Sequence, residues 1–570
     1  LPWLNLGLDV AVSFPGSFPV GDTLMNSLPT AKGIAIGDGV RPYMSKEPLA
    51  CLWSEKQCIG IGTWFHSESE FCPLKARRGN ANNASICHNL EIIAPLLPGK
   101  SIALGAQYVW VAEESRTKLI KGVQEVYRKI NLRIPMDGLK SLRRDVIYCG
   151  HPGGTPEQKY IGYGGFNAIT AYLPTLQKMG VTILWLLPFF EHGDGKKWNL
   201  YSPFNHHMIS SLYGTEEELL ALARSAASIG IRLVFDLVPH GPPDETDLAK
   251  NHPEWVCVGE DGKLEHEWGQ LSFDNANPEW QAYFKNVAAD LTTRFGIIGA
   301  RVDVATGSKP NWKAPWRPSH STLGGGLGMN RAIRAGFCQK LDQIIVLPEE
   351  YTGAVIYYKD TDITYNSQMH FLFVELQRRN ASPETWAKEL AQFLHDQALA
   401  LPPQATKMQF TGNHDTVSWT GQKMRPRDGY GFDRTKALAT LCAMIEGTPM
   451  IYQGEEDPAV YGGVGVSSTE HIVAIMKLRR ELPGLTSNQS DYLGIESSEG
   501  VFTCVRGSGL ESVLVLISFN PKVILTEVIV PDHLSNINTW QDMLGMQKIS
   551  GGHTMKVEML PHGVRILVQA

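Results

Sequence analysis

No stretch of 18 or more apolar residues occurs in this 570-residue chain, so no membrane-spanning helix is expected. There is no basic surplus either. Fifty-two Lys and Arg face 58 Asp and Glu, for a net charge of −6. That balance argues against nucleic acid as a main partner, because phosphate binding requires a basic surface. None of the nine cysteines falls in a CxxC pair, which excludes the usual zinc spacing. Four of them (Cys51, Cys58, Cys72, Cys87) lie in the first 90 residues. Scattered thiols are expected, with one or two N-terminal disulfides as the alternative. No basic-then-apolar leader precedes Leu1, so we expect a processed protein or a piece of a longer one.

What is present describes a globular protein. Hydrophobic residues make up 43% and charged residues 19%. The length exceeds one ordinary domain. Residues 1–135 alternate short apolar runs with Gly, Pro and Ser turns and read as a β-rich domain. From 136 to 487 strands and helices alternate. The strands are near-continuous apolar runs: "DVIYCG", "VTILWLLP", "IRLVFDLVP", "GARVDVA", "IIVLPEE", "TKMQFTG" and "PMIYQG", with a weaker eighth at "TDITYNS" (361–367). Unbroken apolar runs suit parallel strands covered on both faces. Between them, "TEEELLALARSAASIG" opens on a Thr cap and "NPEWQAYFKNVAADLTTRFG" on Asn277 and Pro278. Eight such units predict an α/β fold, a (β/α)8 TIM barrel with an insertion after the third strand at about 241–277. An open doubly wound sheet is the alternative, and no GxGxxG follows the first strand to favour it. Residues 488–570 return to alternating strands and predict a C-terminal antiparallel β-sandwich.

In such a barrel the chemistry gathers at the C-terminal ends of the strands. There the sequence places Asp236 and His240, Arg301 and Asp303, Glu349 and Glu350, then Asn413, His414 and Asp415. Each alone reads as a cap or a solvated turn. Four strands delivering acids, an Arg and His to one face point to a site. Three carboxylates and an Arg without metal-ligand spacing suit acetal chemistry. One acid protonates the leaving oxygen and a second carboxylate attacks the anomeric carbon. Alternation along the strand sends Arg301 and Asp303 to the same side.

These segments resemble the α-amylase family of glycoside hydrolases, family 13. The resemblance runs through "GVTILWLLP" (180–188), "YSPFNHHMISSLYGT" (201–215), "DLVPHG" (236–241), "GARVDVA" (299–305), "VLPEE" (346–350), "FTGNHD" (410–415) and "GTPMIYQGEE" (447–456). It implies Asp303 as nucleophile, Glu349 as general acid/base and Asp415 as transition-state stabiliser. Glu350, one residue on, is the alternative acid. Arg301, His414, Tyr201, Asp236, His240 and Asn413 are implied in sugar binding. The implied function is a retaining hydrolase of α-glucosidic bonds with a carbohydrate substrate and no required cofactor. A glucanotransferase sharing the intermediate, or a non-catalytic sugar-binding barrel, are the alternatives.

The sequence departs from the family pattern at three points. His240-Gly241 stands where Asn-His is usual, so the Asn that often helps hold a structural calcium is absent. Thr306-Gly307 replaces Lys-His after the nucleophile, so contacts on the leaving-group side should differ. Asn205-His206 replaces Asp-Tyr. The segment 251–280 resembles the insertion of members acting on short or branched α-glucans. Trp198, Trp255, Trp268, Trp312 and Trp316 are candidates for sugar stacking, the bland reading of each being core. For the N-terminal region a carbohydrate-binding module, a dimer contact and a barrel brace stay open.

Overall fold

The computed structural model describes residues 4–6, 10–17, 23–24, 34–36, 47, 49–78, 84–193, 197, 199–418, 425–456 and 468–570. Eight strands form its central sheet. They are β1 (Ile147–Gly150), β2 (Ile183–Leu186), β3 (Arg232–Leu237), β4 (Gly299–Val302), β5 (Ile345–Pro348), β6 (Thr364–Tyr365), β7 (Lys407–Gln409) and β8 (Thr448–Tyr452). All pairings are parallel, and the order β5-β4-β3-β2-β1-β8-β7-β6 wraps the sheet nearly into a barrel. The weak eighth run forms a strand of only two residues.

Between β5 and β6 there is no ladder. Asp362 spans the gap instead. Its backbone N–H donates to the Val346 carbonyl at 3.1 Å, and its Oδ2 accepts the Val346 N–H at 2.7 Å. Arg334 holds that carboxylate from behind through Nη1 at 2.8 Å and Nη2 at 3.0 Å.

The strands are apolar on both faces because each face meets a different core. Ile147, Cys149, Ile183, Trp185, Ile345 and Leu347 fill the barrel interior. Val146, Tyr148, Leu184, Leu233 and Val346 face the surrounding helices. The helices start and stop where their caps dictate. In α1 (Glu216–Ser228) the Thr215 side chain and Glu218 form a reciprocal capping box. In α2 (Pro278–Phe295) Asn277 accepts from the N–H groups of Glu279 and Trp280, and Gly296 ends the helix at φ +64°.

Among the described residues, the N-terminal region holds a five-stranded and a four-stranded antiparallel sheet. They share a small core of Val12, Phe14, Leu52, Leu74 and Ile86. Trp53, Trp64 and Leu119 extend the main core toward the barrel helices. After these sheets the chain forms two short helices, Arg116–Lys121 and Val123–Lys129, with a break between them at Gly122. At the break, a Cβ on Gly122 would lie 2.2 Å from the Trp110 ring. The C-terminal region packs a six-stranded sheet on a three-stranded one around Leu514, Leu516, Val528, Trp540 and Val557. The cysteines are thiols, so neither N-terminal disulfide forms. No described helix is long and apolar enough to cross a membrane.

Candidate active site

Arg301 is the centre of the site. It sits on β4, points into the barrel and is wholly buried. Desolvating a guanidinium is costly unless anions surround it, and here four do. Nη1 lies 2.8 Å from Asp236 Oδ1 and 2.5 Å from Asp303 Oδ1. Nη2 lies 3.2 Å from Glu349 Oε1 and 3.6 Å from Asp415 Oδ2. The four acids come from the ends of β3, β4, β5 and β7, so the barrel brings together groups up to 179 positions apart.

Three of these acids, Asp303, Glu349 and Asp415, line a cleft of about 1290 Å³ at the strands' C-terminal ends, together with Tyr201 and His240. Glu349 Oε2 accepts the Val304 N–H at 2.7 Å, which fixes the acid beside the nucleophile strand. The Tyr351 hydroxyl donates to Asp415 Oδ2 at 2.9 Å and receives Asn413 Nδ2 at 3.1 Å. His240 Nε2 is 3.6 Å from Asp303 Oδ2, so the altered first motif still delivers an imidazole to this carboxylate.

The other expected sugar contacts lie behind the cleft wall. Asp236 is wholly buried and accepts from Trp185 Nε1 and the Tyr201 hydroxyl, both at 3.3 Å. Asn413 spends its Oδ1 on the N–H groups of Asp415 (3.0 Å) and Thr416 (2.9 Å), a cap that orients the two residues after it. His414 stacks on Tyr201 at a 12° interplanar angle, with its Nε2 2.7 Å from the tyrosine hydroxyl. With Arg301, these three are buried beneath the cleft-lining groups and hold them in place.

Glu349 and Glu350 part company. Alternation puts 349 with the inward residues 345 and 347. It sends Glu350 outward, where it is fully buried and bonded to the Thr352 hydroxyl. Glu350 does not line the cleft.

Burial, first, pushes Asp303 and Asp236 above the ordinary carboxylate range; neighbouring carboxylates add to it and Arg301 opposes it. Asp236 reaches about 7. Four carboxyls around one guanidinium cannot all be charged cheaply, so the cluster stores a proton near neutral pH. Burial also holds His240 down at about 4, leaving it neutral.

Of the tryptophans, Trp268 lines the cleft and is 63% exposed. Trp255 is core, stacked on His252. Trp312 and Trp316 are half-buried and do not line the cleft. Trp198 lies outside the described residues. His206 is a core residue whose Nε2 bonds the Val238 carbonyl at 3.2 Å. Sequence reasoning missed Trp185, Tyr351 and Tyr365, which hold the acids and Arg301, because inward aromatic residues read as core.

The model of the alpha amylase catalytic domain matches residues 139–254 and 265–473, more than half the chain, and leaves residues 1–138 outside. The chain is 23% identical over 381 residues to an alpha-glucosidase of Pediococcus pentosaceus, covering 56% of this chain and 66% of that protein. It is 23% identical over 440 residues to an oligo-1,6-glucosidase of Heyndrickxia coagulans, covering 65% and 75%. A 1,4-alpha-glucan branching enzyme of Nitrosomonas europaea is 31% identical over 161 residues, 28% of this chain and 22% of that one. Just under two thirds of the first relative, and about a fifth of the third, are thus spanned. The structure superposes on an alpha-amylase from Lactobacillus plantarum with a TM-score of 0.59 and 21% identity, over 75% of this chain and 99% of that one.

Proposed function

The chain belongs to the alpha-amylase family, and we propose that it is a retaining glycoside hydrolase acting on α-glucosidic bonds of α-glucans or oligosaccharides. One observation carries the reading: Asp303, Glu349 and Asp415 line a single cleft around the buried Arg301.

Asp303 attacks the anomeric carbon while Glu349 protonates the departing oxygen. The glycosidic C–O bond breaks and a covalent glycosyl-Asp303 ester forms. Glu349, now ionised, takes a proton from the incoming water as that oxygen attacks the same carbon and Asp303 leaves. Asp415, held by Tyr351, supports the positive charge that develops on the sugar. The nucleophile must be ionised at the start. Arg301, which touches Asp303 at 2.5 Å, favours that ionised form against the burial that opposes it. His240, neutral and beside Asp303, can contact a sugar hydroxyl without quenching the nucleophile's charge.

No step requires a cofactor. His240 and Gly241 offer no carboxamide oxygen where the family's calcium-holding Asn stands.

The test is to incubate the protein with starch, maltooligosaccharides, isomaltose, trehalose and sucrose and separate the products. Cleavage of at least one α-glucan with the first-formed product in the α configuration is expected. No cleavage, or a β product, refutes the reading. The similarity to a branching enzyme favours a second reading, a glucanotransferase using the same intermediate. Longer products appearing when an acceptor sugar is added would select it.

A further inference from the structure

Part of the cleft belongs neither to the barrel nor to its insertion. Phe71, Pro73, Asn89, Glu91 and Ile93 of the N-terminal region line it together with Thr306–Ser308, the segment leaving the nucleophile strand. All five precede residue 139, where the family match begins.

This wall is anchored. Glu70 is 3% exposed and receives Arg317 Nε at 2.5 Å, Arg317 Nη2 at 2.9 Å and the Ser319 hydroxyl at 2.9 Å. A buried carboxylate is tolerated only with such partners. Backbone bonds add to the anchor: Gly324 N–H donates to Ser69 O at 3.2 Å and Ser319 N–H to Ile93 O at 3.1 Å. Asn89 N–H donates to Pro73 O at 2.7 Å, which ties the two lining segments together.

Beside this wall the segment after the nucleophile strand narrows to backbone at one position for a steric reason. Gly307 sits at φ +99°, and a Cβ there would lie 1.8 Å from the Thr322 carbonyl oxygen. No side chain is tolerated at 307, so at that position the segment offers only backbone to the cleft.

What lines the wall suits a sugar. A pyranose has an apolar face of C–H groups and a rim of hydroxyls. Phe71 supplies an aromatic surface. Asn89 and Glu91, both exposed, supply donors and acceptors for hydroxyls. The cleft's volume of about 1290 Å³ exceeds the usual small-molecule range of roughly 300–1,000 Å³. It has room for several rings.

We propose that Phe71, Pro73, Asn89, Glu91 and Ile93 of the N-terminal region form an oligosaccharide subsite beside the nucleophile segment and make this chain select substrates of several α-linked glucose units over single-ring glucosides. The inference rests on the glycosidase reading.

The test compares kcat/KM for maltopentaose with that for a chromogenic aryl α-glucoside. Phe71→Ala is expected to lower the ratio of the two about tenfold, and Asn89→Ala with Glu91→Ala severalfold. Because Phe71 packs partly on the core, the exposed Asn89/Glu91 pair serves as the variant that leaves folding intact. A ratio within twofold of wild type in both variants overturns the proposal. Calorimetric binding of maltopentaose to Asp303→Asn, with and without Phe71→Ala, separates the two readings. A tenfold weaker Kd in the double variant supports the subsite even if no bond is cleaved. Cleavage by wild type with an unchanged Kd overturns the subsite alone. Absence of both binding and cleavage overturns both.

Discussion

Two buried cations sit on opposite sides of the same barrel wall. Arg301 points inward and gathers Asp236, Asp303, Glu349 and Asp415. Lys407 points outward, donates to Thr364 Oγ1 at 2.9 Å and lies over the Tyr358 ring. Its charge acts on Glu350 and Glu47, both buried. Burial perturbs ionisation in both clusters: Glu350 is pushed up, Glu47 to about 7, and Lys407 down. Perturbed ionisation alone therefore does not mark a reactive site. What separates the two is the cleft, which Asp303, Glu349 and Asp415 line and Lys407 and Glu350 do not. Adjacent glutamates enter different clusters because adjacent strand residues face opposite ways.

Substitutions on the two sides should give opposite signatures. Asp303→Asn should lower kcat on any cleaved α-glucan by about 10⁴-fold or more while the melting temperature holds. Near-normal turnover would break the assignment. Glu349→Gln should cost about 10²–10⁴-fold, and least on substrates with good leaving groups, which need little protonation. Glu350→Gln should retain most activity and lose stability instead. If Glu350→Gln showed the leaving-group dependence, the roles of the pair would be exchanged.

On the outward side the effects are on folding. Lys407→Met removes the positive charge that faces two buried carboxyls, at a cost of about 3 kcal/mol in urea unfolding. The loss should be larger at pH 8 than at pH 5, where the carboxyls keep their protons. Glu47 gives the smallest and most specific signal. Its folded value is raised to about 7, so its contribution is fully present below the unfolded value of about 4.5 and is lost as pH rises through about 7. Glu47→Gln should flatten the stability–pH curve across that window by at most about 3 kcal/mol. An unchanged slope would show that Glu47 is charged in the folded protein.

The sequence makes the barrel legible because each strand is an unbroken apolar run and each helix carries its own start and stop signals. Thr215, Asn277 and Gly296 act as caps where their types suggest. The same unbroken runs hide orientation. With both faces apolar, no alternation tells which of Glu349 and Glu350 looks inward. The supporting role of Asn413 was hidden for a related reason, since a carboxamide that caps a helix and one that holds a sugar are the same residue in a motif. Phe71 and Asn89 carried no signal, because their place in the cleft depends on a pairing between Glu70 and Arg317, 247 positions apart.

The gap between β5 and β6 gives the barrel one weak hinge line. Seven of its joints are backbone ladders, which no side-chain replacement removes. The eighth is a clasp of one backbone bond and one carboxylate, that of Asp362, and the carboxylate half can be removed by editing one residue. Asp362→Ala would leave the Val346 amide without its acceptor, and that amide would be the first in the barrel wall to trade its hydrogen for deuterium.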